Sequence, residues 1–182
     1  MSGKGRHRVL AVTSPDPLLS FLASIGLATS VGTALVIDLE RLPGSGARTL
    51  ADIVAEGPRL EELSPGRRGV ALMRGGPVEV EVASEAVERL AQRWPAVVVR
   101  DPEPRWPGPT VPVVALYPGW LAPTGPGVAV WQPLGTGSGP PGPGPVLPPL
   151  SRNLIHHILR GRLPGRSRWL RAWDQVWEMP WA

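Results

Sequence analysis

Two kinds of hydrophobic pattern alternate along this chain. Residues 8–14, 33–39 and 96–99 are runs apolar on both alternating faces, the mark of strands buried inside a sheet. Residues 68–73, 111–116 and 128–131 read as further strands. Between them, residues 17–30 place Leu18, Leu22, Ile25 and Ala28 near helical spacing, opened by Asp16 as N-cap and Pro17 at the first position. Residues 82–94 repeat the pattern with Val82, Ala86, Val87, Leu90 and Ala91, and residues 49–56 suit a shorter helix. Strand and helix in alternation predict an α/β fold with a mostly parallel sheet covered by helices on both sides.

The second half departs from this rhythm. Its strands are separated by short proline-rich connections, too short for full crossover helices, which predicts an irregular or antiparallel end to the sheet. Residues 135–149, GTGSGPPGPGPVLPP, read as a linker able to form neither ladder nor helix. Two short helices are expected beyond it, near 151–160 and 167–179. The expected organisation is thus an α/β domain over 1–134, a linker over 135–150 and a helical arm over 151–182.

Charge sharpens that division. Residues 1–149 carry 13 Lys+Arg and 13 Asp+Glu, whereas residues 150–182 carry six arginines against Asp174 and Glu178. The whole net charge of +4 therefore belongs to the arm. The chain has no cysteine, which excludes disulfides and thiolate metal sites. No apolar run reaches the length of a membrane span, and the run after the basic start is too short for a signal-peptide core, so a cytoplasmic protein is expected.

The order of these elements resembles the deviant-Walker ATPases of the MinD/ParA class, including the pilus-assembly members called CpaE or TadZ. The resemblance runs from about residue 8 to 131: VLAVTS, then PLLSFLASIGLATS, then TALVIDLE, with AVVVRDP in place of the Walker B strand. It implies a P-loop-like fold and puts Ser14, Asp16, Asp38 and Asp101 in vestigial nucleotide-binding positions, with Glu40 completing the acidic pair. The phosphate loop itself is missing. Successive backbone N–H groups and a lysine must surround a phosphate, and glycines let the backbone approach. Ser14-Pro15-Asp16-Pro17 offers no glycine, two residues without an N–H and a repelling carboxylate, and no lysine follows Lys4. The same residues also resemble a response-regulator receiver, which would make Asp38 a phosphate acceptor. Without any resemblance, Asp38 reads as a strand-end acid that caps a helix or meets an arginine, and Asp101 as a turn residue.

The arm carries the most regular pattern. Trp169, Trp173, Trp177 and Trp181 recur every four residues, a gently winding stripe if the segment is one helix, with Arg166, Arg168 and Arg171 at its start. Tryptophan with arginine suits a protein interface or a bilayer surface, and these seven residues are the expected docking site. A segment folded back on the sheet would use the stripe to fill room left by missing helices. His156 and His157 are adjacent, point about 100° apart on a helix and make no metal site. No Ser/His/acid set and no nucleic-acid readout motif is present. The combined expectation is a non-catalytic pseudo-ATPase adaptor with a protein partner, possible peripheral membrane contact through the arm, no specific nucleic acid and no cofactor. The competing expectation is a switch that still binds magnesium and ATP, or a degenerate receiver.

Overall fold

The computed structural model describes residues 8–40, 48–63, 69–119, 127–135, 139–140, 142–163 and 167–181. Arg166 lies outside them. Six strands, β1 (Val9–Thr13), β2 (Thr33–Asp38), β3 (Gly69–Arg74), β4 (Val97–Arg100), β5 (Thr110–Leu116) and β6 (Val130–Pro133), form one sheet in the order β3-β2-β4-β1-β5-β6. Every pairing is parallel. The fold is α/β, as the alternating pattern predicts. The irregular or antiparallel end is not found: β5 pairs with β1 and β6 with β5 in the same sense. A connection of about a dozen residues suffices for a parallel return, and 117–129 is that long.

Side-chain alternation divides the interior in two. Leu10, Val12, Val36, Val98 and Val113 face α1 (Pro17–Val31), while Ala11, Leu35, Ile37, Val97 and Val99 face the opposite layer. That layer is α2 (Leu50–Glu56) and α4 (Val80–Ala91), with the single turn α3 (Leu60–Leu63) beside them. Thr49 and Asp52 form a reciprocal capping box that starts α2.

The proline-rich linker is not a free tether. Pro143 and Pro145 carbonyls accept from the Ala129 and Trp131 N–H groups at 3.2 and 2.9 Å, and the Leu147 N–H donates to Trp131 at 2.8 Å. Val146 bridges Trp131 in parallel. Proline cannot donate to a ladder, so Pro143 and Pro145 hold β6 through their carbonyls and Leu147 supplies a donor. Gly144 is required in this strap. Its φ is 130°, and a Cβ there would stand 1.8 Å from the Ala129 carbonyl oxygen.

The arm is not separate either. α5 (Arg152–Leu159), α6 (Arg168–Ala172) and a 3₁₀ turn (Val176–Glu178) pack over α1. Leu154, Ile158, Trp169, Trp173, Val176, Trp177 and Trp181 share one core with Leu10 and Val12. The four indoles are 2, 0, 1 and 7 % exposed, so the tryptophan stripe is interior and does not form a docking surface. Nor does it lie on one helix. A short helix has little stability of its own, so tertiary contacts set its course. Trp169 Nε1 donates to Gln132 Oε1, Trp177 Nε1 to the Leu27 carbonyl and Trp181 Nε1 to the Val176 carbonyl. Meeting these separate partners bends the chain after α6.

Helix α1 is consequently enclosed on most sides, with Leu19, Ser20 and Leu22 through Ala28 buried and Phe21 partly exposed. Its small residues fit that position. A Cβ on Gly26 would lie 2.4 Å from Trp173 Nε1 and 2.6 Å from the Trp169 ring. Gly26→Ala should therefore destabilise the protein by about 1–3 kcal/mol through overpacking, although alanine is the better helix former by about 1 kcal/mol. Trp177→Ala should cost about 3–5 kcal/mol. Urea unfolding midpoints of the two variants check both values, and a neutral Gly26→Ala would contradict the close packing.

Candidate functional site

In open α/β sheets ligands gather beyond the carboxyl ends of the strands. At that end of this sheet stand Ser14 after β1, Asp38 at the end of β2, and Arg100 and Asp101 at the end of β4. Alternation decides who meets whom. Asp38 and Arg100 are register partners on adjacent strands and both face α1. Asp101, one residue on, lies on the other side.

The Arg100 side chain is 3 % exposed and saturated with acceptors. Its Nη1 donates to both oxygens of Asp38 at 2.9 and 2.8 Å and also to Glu40 Oε2. Nε reaches Ser20 Oγ at 3.3 Å, and Nη2 reaches the Pro17 carbonyl at 3.1 Å. Asp38 in turn accepts the Glu40 N–H at 3.0 Å. A buried charge is tolerated only when paired and hydrogen-bonded, and this guanidinium is both. It ties β4 and β2 to the first turn of α1.

The N-terminus of α1 is the natural anion site of such a unit. Here Asp16 occupies it from within: its Oδ1 accepts the Leu19 N–H at 2.9 Å, and its Oδ2 accepts the Tyr117 hydroxyl at 3.2 Å. Ser14 Oγ accepts the Asp16 N–H at 3.3 Å and is 3 % exposed. The loop that would hold a phosphate is thus turned inward on its own carboxylate.

Asp101 organises the turn that leaves β4. Its Oδ2 accepts the N–H groups of Arg105 and Trp106 at 2.6 and 2.7 Å, and its own N–H donates to Val12. Oδ1 is buried without a hydrogen bond, with the Arg105 Nε 3.8 Å away. Among the described residues no group of three or more His, Cys, Asp or Glu is placed to hold a metal ion. Magnesium-bound ATP does not fit these residues. Asp38 is consumed by Arg100, Asp101 faces the other layer, and Asp16 fills the helix terminus.

Of the residues singled out from sequence, Asp16 caps α1 beside Ser14, Asp38 is tied to the same helix start through Arg100, and Asp101 organises a separate turn. Trp169, Trp173, Trp177 and Trp181 are in the core, leaving Arg168 and Arg171 exposed. Arg100 was the member missed. The signal was present, a lone arginine closing a run of three valines. No protein-family model, curated protein or solved structure matches this chain.

Arg100→Met leaves Asp38 buried beside Glu40 with no cation and should cost about 3–5 kcal/mol in urea unfolding. Arg100→Lys should not rescue it, because one ammonium cannot span Asp38, Ser20 and Pro17 together. Adding Asp38→Leu to Arg100→Met should recover part of the loss. Strictly additive destabilisation would show that the pair is not coupled.

Proposed function

We propose that this protein is a non-catalytic adaptor or positioning factor on a MinD/ParA-like scaffold. The observation that carries this is the closed corner at the carboxyl ends of β1, β2 and β4. Three carboxylates, Asp16, Asp38 and Glu40, share it with the Arg100 guanidinium. A triphosphate would meet surplus negative charge and a helix terminus already capped. The resemblance in strand–loop–helix order supplies the scaffold's origin and the idea of a membrane-associated machine, such as a pilus, secretion or division-site system. Contact with that machine falls to the outward side of residues 151–181, because the indoles face inward while Arg152, Arg160, Arg162, Arg168 and Arg171 remain exposed. Among the described residues no helix is long and apolar enough to cross a membrane, so any membrane contact made this way is peripheral.

Thermal unfolding with and without ATP, ADP or GTP plus magnesium tests the closed corner. A ligand at a hundred times its dissociation constant adds about 2.7 kcal/mol. The melting temperature should stay unchanged with all three nucleotides. A clear rise would replace this reading with that of a nucleotide switch.

A further inference from the structure

The end of α5 separates two adjoining depressions. Gly161 takes a φ of 67°, and the Arg162 N–H returns to the His157 carbonyl at 2.9 Å, so the chain doubles back over the helix end. On one side lies an apolar groove of about 260 Å³ between α1, α5 and strand β3. Phe21, Leu72, Ile158, Leu159 and Leu163 line it. Leu72 and Leu159 are 52 and 55 % exposed, which is unusual for leucines side by side with a core. On the other side His156, His157, Arg160 and Arg162 line a smaller polar hollow with Asn153. Among the described residues no aspartate or glutamate lines either depression.

The groove also borders a sheet edge. Among the described residues no strand pairs with β3 on the side away from β2, and a single bridge from Thr49 meets it at Arg74. Such an edge presents backbone donors and acceptors suited to an added strand. Among the described residues Arg152, Arg160, Arg162, Arg168 and Arg171 form no ion pair, whereas Arg48, Arg100 and Arg105 each do.

We propose that the β3 edge, the apolar groove and the cationic end of α5 together dock an extended acidic segment of a partner protein. Its alternate apolar side chains enter the groove beside Leu72 and Leu159, and its carboxylates face Arg160 and Arg162. Charge selects this occupant. A second copy docked symmetrically would bring the same arginines against each other, and like charges at an interface are costly. A bilayer surface would need exposed aromatic anchors, and the tryptophans of this segment are in the core. The inference rests on the adaptor reading and gives that adaptor its partner chemistry.

Fluorescence anisotropy with the full chain tests it, using short labelled peptides of alternating Glu and Leu, of Lys and Leu, and of Glu and Ser. The Glu/Leu peptide should bind, more weakly as salt rises, and the other two should not. Leu159→Asp, and Arg160→Glu combined with Arg162→Glu, should each weaken binding by about tenfold or more. All three side chains are exposed, and an unchanged unfolding midpoint shows that the variants fold. Equal binding of the Lys/Leu peptide, or affinity unaffected by both variants, would overturn the proposal. So would co-sedimentation with phosphatidylglycerol vesicles or self-association, if either is lost in these variants while the peptide is ignored. A nucleotide-induced rise in melting temperature would instead remove the closed corner and leave peptide binding intact.

Discussion

Helix α1 is wedged between the sheet and the tryptophans of its own C-terminal segment, and that double burial constrains most of the molecule. A helix covered on one side tolerates bulk and charge on the other. One covered on both must be small where the second layer presses. Gly26 sits directly against the Trp169 and Trp173 rings, which meet edge to face at 5.4 Å. The Leu27 carbonyl accepts both the Ser30 hydroxyl and the Trp177 indole. In return the C-terminal segment acquires its fold from α1. Detaching it would expose four indoles, each worth a large apolar area, so the segment behaves as a third layer of the same core.

The polar end of α1 obeys the same constraint. Ser20 is fully buried, and its hydroxyl takes the Arg100 Nε. Burial leaves the guanidinium no water to fall back on, so its acceptors must come from the protein. They come from Asp38, Glu40 and the backbone of Pro17. The corner where an α/β unit of this shape would accept an anion is thereby neutralised from inside and overshoots to net negative. The internal network and an external phosphate compete for the same donors.

Much of this was legible in the chain. Runs such as residues 96–99 fix buried parallel strands because both faces need apolar side chains, and Asp16-Pro17 marks where α1 starts. The arginine partner anticipated for Asp38 is Arg100, its register neighbour. What sequence could not settle was which surface the tryptophan stripe would meet. An amphipathic stripe looks identical whether its partner is a bilayer, another protein or α1, and the small residues of α1 become informative only when paired with it. The strap over 142–149 escaped for a different reason. Proline reads as a ladder breaker, but the Pro143 and Pro145 carbonyls still accept from Ala129 and Trp131, and Leu147 still donates to Trp131.

That strap also gives meaning to the opposite side of the sheet. Both lateral edges of an open parallel sheet present the same hazard of unplanned pairing. At β6 the chain meets it by laying the strap along the edge, the Pro143 and Pro145 carbonyls accepting from Ala129 and Trp131 and the Leu147 N–H donating to Trp131. At β3 the described residues contain no comparable device, and the nearest exposed side chain is Leu72. Leaving that edge open beside an apolar groove would invite self-pairing. The exposed arginines at the end of α5 supply the restraint, because they set each copy against another while leaving an acidic strand free to approach. Protection by charge, unlike covering by a strap, is selective, and this selectivity distinguishes a receptive edge from one that is merely unguarded.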